Sequence, residues 1–224
     1  MCGRYMITSA REAMKRVFDV PTLFELAPRY NVAPTQNVPV VRLEEGEREL
    51  VMLRWGLIPS WAKDPEIGNR MINARAETVP EKPSFRTAFR RRRCLVVADG
   101  FYEWQKQPHG PKQPYYITVA NGGPFGFAGL WERWSDPIEG YLVESCTIVT
   151  TMANERLESI HDRMPVIIDP SDFDAWLDTS GNPAIAQALL APYPAERMSA
   201  YPISRRINNV KNDDPACLEP LEER

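Results

Sequence analysis

Position 2 is a cysteine followed by Gly3. Removal of Met1 would leave Cys2 with a free α-amine and a thiol on adjacent carbons. An α-amine titrates at about 7.7 to 8.0, so part of it is neutral near pH 7 and can add to an aldehyde to give a Schiff base. The thiol then closes a five-membered thiazolidine. A lysine there would stop at the reversible imine, and an internal cysteine at a hemithioacetal. Cysteine is small enough for the initiator methionine to be cleaved before it, and glycine lets a substrate approach the backbone closely. Taken alone, Cys2 reads as an ordinary small residue near a terminus, so its company decides.

That company is an ordered set of segments: MCGRY at 1–5, RYNVAPTQ at 29–36, INARAET at 72–78, ADGFYEW at 98–104 and IHDRMP at 160–165. WGLIPSW at 55–61, PSFRTAFRRRRC at 83–94 and ISRRINNVKND at 203–213 extend the pattern nearly end to end. The sequence resembles the SRAP family (SOS-response-associated peptidase), whose bacterial and animal members crosslink to abasic sites in DNA. The resemblance implies that Cys2 is the crosslinking residue, Asn73 holds the sugar-derived group, Glu103 assists proton transfer at the amine, and His161 handles the ring oxygen. These residue types suit the chemistry. An abasic sugar is mostly a closed hemiacetal that an acid and a base must open, and an imidazole can serve as either near neutrality. A carboxylate can take the proton of the α-ammonium. Desolvation by Phe101, Tyr102 and Trp104 would raise the pKa of Glu103, although strand alternation sets Tyr102 on the opposite face. An amide offers both a donor and an acceptor to a hydroxyl or to the new ring. Singly, each residue also has a structural reading: a solvated or packed histidine, a glutamate on a half-buried strand, an asparagine in a turn.

The partner implied is single-stranded DNA containing an abasic site, including sites at single-strand/double-strand junctions, bound by a monomer. Such binding needs cations along the phosphates and flat surfaces against unpaired bases. The resemblance assigns these contacts to Arg4, Pro34, Trp61, Arg75, Arg86 and Arg163. Arg86 and Arg90 are spaced to share one helix face, and Arg90 to Arg93 otherwise read as a solvated helix end. One departure is Ala62, where some relatives carry a second aromatic, so the stacking platform is expected to be smaller. Base-specific readout is not expected. Two other readings stay open: a cysteine peptidase or N-terminal-nucleophile amidohydrolase using Cys2 and His161, which would need an oxyanion hole, and a noncatalytic single-stranded-DNA-binding module.

The elements that must position these residues can be read from the same sequence. The 224 residues, 43% hydrophobic and 25% charged, suit one globular domain. With a net charge of -3, nucleic-acid binding must rest on a local basic patch. Cys2, Cys94, Cys146 and Cys217 are far apart with only His109 and His161 to join them, so no metal or organic cofactor is expected, and Cys94 and Cys146 read as core thiols. His109 reads as a loop residue. The N-terminus lacks a signal-peptide pattern and no apolar run reaches membrane length, which predicts a cytoplasmic protein, nucleoid-associated when on DNA. Strands are predicted at VPVVRL, ELVMLRWGLI, CLVVADG, PYYITVA, FGFAGLWERW, CTIVTT and MPVIID. Helices are predicted over 9–18 with Ser9 as N-cap, 84–92, 171–177 and 183–190. Strand runs without regularly alternating helices indicate an α+β fold: a single domain over 1–212 with a mainly antiparallel, barrel-like β core and peripheral helices, followed by a charged, proline-containing tail at 213–224 expected to fray.

Overall fold

In chain order, β1 (Tyr5–Ile7), α1 (Arg11–Phe18), β2 (Arg29–Val32), β3 (Asn37–Glu44), β4 (Glu47–Trp55) and β5 (Asn73–Arg75) precede α2 (Arg86–Arg91). There follow β6 (Arg93–Ala98), β7 (Gly100–Gln105), β8 (Gln113–Val119), β9 (Phe125–Ser135), β10 (Leu142–Met152), β11 (Arg163–Pro165) and β12 (Ile167–Ile168). α3 (Phe173–Leu177), α4 (Pro183–Ala188) and β13 (Met198–Pro202) complete the set. The computed structural model describes residues 2–21, 25–119 and 122–221.

Five of the strands close into a ring. β3 and β4 form a hairpin whose two-residue turn, Glu45 and Gly46, has positive φ at both positions (52° and 87°), the twist a tight hairpin needs. β3 then pairs with β6, β6 with β9 and β9 with β10, all antiparallel, and β10 returns to β4 in a short parallel seam, Cys146 against Trp55. Past that seam β10 runs on to pair with β5 on one edge and β11 on the other. A second, wholly antiparallel sheet has the order β13-β8-β7-β1-β2.

Alternation along the ring strands sends side chains into two separate cores. Leu95, Val97, Leu130 and Val149 pack with Phe18, Phe89, Phe173 and Trp176 from α1, α2 and α3. Cys94, Val96, Phe127 and Cys146 pack instead with Cys2, Tyr5 and Phe101 from the second sheet. The α+β class with its mainly antiparallel barrel and peripheral helices is therefore as expected. Among the described residues, no helix is long and apolar enough to cross a membrane.

Two local expectations change. Ser9 does not cap α1. The cap position is Ala10, without a side-chain bond, because Asp99 takes the Ser9 hydroxyl and accepts from the backbone N–H groups of Thr8 (2.6 Å) and Ser9 (2.8 Å). The tail expected to fray is docked as far as residue 221, with Pro220 bridging Ile203 and the Leu221 N–H on the Pro202 carbonyl (3.0 Å). Asp213 accepts from the Tyr30 and Asn31 N–H groups, Pro215–Leu218 forms a 3-10 turn capped by Asp214, and Cys217 is fully buried beside Tyr102. A charged stretch stays down when its carboxylates find backbone donors.

Candidate active site

Cys2 lies just ahead of β1, a short strand clamped between β2 and β7, with Tyr5 opposite both Val32 and Phe101. Its side chain is fully buried, and its carbonyl accepts a 2.9 Å hydrogen bond from Asn73 Nδ2. Asn73 opens β5 and is fixed by pairing with Ile148 of β10. The Asn73 Oδ1 is buried and has no hydrogen-bond partner among the described residues, leaving one acceptor unused.

Glu103 comes from β7, only 3% exposed. Phe101 shares the Cys2 core, while Tyr102 and Trp104 turn the other way: the Tyr102 hydroxyl donates to the Tyr30 carbonyl (2.6 Å) and Trp104 Nε1 to Asn208 (2.7 Å). Burial pushes the Glu103 carboxyl up, and positive charge at His161 works against that shift. Burial also pushes the Cys2 thiol far up, with the Glu103 carboxylate adding to the effect. Glu103 is thus within electrostatic reach of both Cys2 and His161. His161 closes a turn begun by Asn154, its N–H on the Leu157 carbonyl, and its ring is 26% exposed. Its Nδ1 lies 3.0 Å from the Arg163 backbone N–H and 2.9 Å from Asp162 Oδ1. A ring with its proton on Nε2 accepts the first contact, and a ring protonated on Nδ1 donates to the second.

Cys2, Asn73, Glu103 and His161, far apart in sequence, are therefore gathered where the second sheet meets the end of the barrel. Burial favours the protonated form of the Cys2 thiol, and in a chain that retains Met1 the nitrogen of Cys2 is an amide. Met1 itself lies outside the described residues.

The six residues assigned to DNA divide into two groups. Arg75 and Arg86 are exposed, Arg90 shares the exposed face of α2, and Trp61 is 58% exposed beside a groove of about 570 Å³ whose lining mixes Lys63 and Arg70 with Asp64 and Glu66. Pro34 is half-buried in the turn after β2. Arg4 and Arg163 are already engaged. Arg4 Nη1 donates to Asn31 Oδ1 (2.7 Å) and the Ile207 carbonyl (3.0 Å), and Arg163 is 9% exposed in a forked pair with Glu77. Ala62 packs inward against Trp134, whose indole donates to the Ala62 carbonyl (2.7 Å), so Trp61 is the aromatic left outside at this turn.

Three site-building residues were not singled out by sequence reasoning. Asn31 holds Arg4 through Oδ1 and donates through Nδ2 to the Ile207, Asn209 and Asn212 carbonyls, tying the C-terminal segment to β2. Asp99 anchors the link from β1 to α1, and Glu77 pairs with Arg163. Each is a polar residue inside one of the motif segments, the one available signal.

The chain is thus an α+β barrel protein with a buried cysteine at position 2 set among an amide, a buried carboxyl and an imidazole. The chain belongs to the SRAP family, described as SOS response associated peptidase, which it matches over residues 1–210. It is 44% identical over 223 residues to abasic site processing protein YoqW of Bacillus subtilis, spanning 98% of this chain and 99% of that protein. It is 35% identical to abasic site processing protein HMCES of Xenopus tropicalis over 87% of this chain and 66% of that protein. A crystal structure of a protein from Bacteroides thetaiotaomicron superposes with a TM-score of 0.87 at 30% identity, covering 98% of this chain and all of the other.

Proposed function

We propose that this protein captures abasic sites in single-stranded DNA by forming a thiazolidine between Cys2, freed of Met1, and the sugar aldehyde, so shielding the lesion. The observation that carries this reading is the setting of Cys2, with its carbonyl held by Asn73 and a buried carboxyl beside it. The names of the relatives supply the substrate. His161 opens the hemiacetal by passing the proton of the anomeric hydroxyl to the ring oxygen. Glu103 takes the proton of the α-ammonium, and the neutral amine attacks the aldehyde carbon. The carbinolamine loses water to give an imine; the thiol adds to its carbon and the thiol proton passes to nitrogen, so that aldehyde and aminothiol yield thiazolidine and one water. Burial that raises the thiol pKa suits this order, in which sulfur reacts last and gives up its proton as it adds to the imine. Arg75 and Arg86 line the phosphates and Trp61 and Pro34 face the bases, with Arg4 and Arg163 immediately behind.

The test is a denaturing gel with single-stranded DNA carrying one abasic site, paired with intact mass spectrometry. The wild-type protein lacking Met1 forms a stable adduct; Cys2→Ala and a form with residues retained ahead of Cys2 form none. Equal crosslinking by the blocked form would remove the amine from the mechanism. Peptide hydrolysis without adduct would favour the peptidase reading.

A further inference from the structure

We propose that Glu77 is a positioning residue for His161, acting through Arg163: the carboxylate fixes one end of Arg163, and the backbone N–H of that same residue fixes the imidazole. The inference rests on the proposed role of His161 and extends it to a residue with no assigned part in the chemistry.

The chain of contacts is short and continuous. Glu77 Oε1 and Oε2 accept from Arg163 Nη1 (2.8 Å) and Nη2 (3.0 Å), and Nη2 also donates to the Thr150 carbonyl of β10 (2.6 Å). Two charge-assisted bonds to one carboxylate and a third to the backbone leave the guanidinium little freedom. Arg163 is also the first residue of β11, paired with Met152, so side chain and backbone are held together. Its N–H meets His161 Nδ1 at 3.0 Å and so favours the neutral form with its proton on Nε2, against the pull of Asp162 Oδ1 at 2.9 Å. Glu77 is itself about half exposed, whereas Arg163 is nine-tenths buried. Removing Glu77 would leave a buried cation without its counter-charge. Arg163 pulls the Glu77 carboxyl below its ordinary value, with Arg75 adding to it, so the carboxylate stays ionised. The titratable groups set against the imidazole are Asp162 on its own segment and Glu103 from β7.

The experiment compares wild type, Glu77→Gln and Arg163→Lys in three readouts: the adduct-forming rate at saturating abasic DNA, affinity for undamaged single-stranded DNA, and the imidazole nitrogen chemical shifts of His161. Only two histidines are present, so His109→Gln leaves one ring signal to follow. For Glu77→Gln the rate falls about tenfold or more, since small misplacement of a catalytic group is costly. Affinity stays within about twofold of wild type, a shift too small for the loss of a phosphate contact, and the neutral ring changes from one tautomer to a mixture. An unchanged rate, an unchanged tautomer, or equal losses in rate and affinity would overturn the proposal. If Glu77→Gln does not fold, Arg163→Lys takes its place, because it keeps the cation and loses the fork. It is expected to show the same slowing and the same mixture of tautomers, and a wild-type value in either would overturn the proposal equally. Absence of adduct in the wild type would instead defeat the abasic-site reading on which this one stands.

Discussion

Along β6 and β9 almost every side chain is buried, and the ring they help close is held by hydrocarbon packed on both faces. The second sheet is assembled differently. Its strands β1 and β2 are short, and polar groups secure their surroundings: Asp99 on the exit from β1, Asn31 and Asp213 on β2, the Tyr102 hydroxyl on the Tyr30 carbonyl. Apolar packing is strong but tolerant of small shifts, whereas hydrogen bonds weaken quickly with angle and distance. The group that needs accurate placement, Cys2, sits just ahead of the sheet held by directional bonds, its own carbonyl tied to Asn73 Nδ2. The barrel supplies the rigid end, β5 and β11, against which it is set.

If this contrast is right, damage to the barrel should act on stability and damage to the second sheet on chemistry. Leu95 is fully buried and lies flat against Gly126, where a Cβ would come within 3.0 Å of the leucine side chain. Leu95→Ala is expected to cost about 2–5 kcal/mol in denaturant unfolding, with the adduct rate of the remaining folded protein near that of wild type. A large rate loss in fully folded Leu95→Ala would break the division of labour.

Asn31→Ala is the matching change in the second sheet. It strips one acceptor from Arg4 and the side-chain donor from three carbonyls. The expected cost is smaller, about 1–3 kcal/mol, because the freed groups can partly recruit water. The adduct rate should fall further than stability alone explains, since Arg4 and the segment behind it are no longer fixed beneath β1. Rates and unfolding curves measured on the same samples separate the two, and proportional losses in both would merge the regions into one cooperative unit.

The same contrast explains what could be read from the amino-acid order. The seven predicted strand runs fall on β3, β4, β6, β8, β9, β10 and the β11–β12 pair, where β-branched and aromatic residues make long apolar runs. The helices were legible too, within one or two residues at most ends. β1, β2, β5 and β13 were not singled out as strands. They have three to five residues each, too few to show a period, and their pairing is settled by distant partners such as Ile148 for β5. The candidate site was visible as motifs because chemistry constrains residue type. Its supports, Asn31, Asp99 and Glu77, were not, since nothing local in a polar side chain names the group it will meet 86 to 181 residues away.

The smallest expected effect concerns Glu103, which stands where the two regions touch. Burial raises its folded pKa above the ordinary carboxylate value of about 4.3. Between those two values the folded protein holds a proton that the unfolded chain has released, so stability falls as pH rises through this window and remains lowered above it. Glu103→Gln cannot ionise and escapes that loss. It should match the wild type below the window and be slightly more stable above it, while forming adduct far more slowly. The wild-type adduct rate should show an acid limb displaced upward from ordinary carboxylates, absent in Glu103→Gln. Thermal melts at several pH values test the first part and a pH–rate series the second. A variant less stable than wild type at neutral pH would mean that the carboxylate is a structural tie of the second sheet, like Asp99, and not a buried group kept at a cost to stability for the reaction at Cys2.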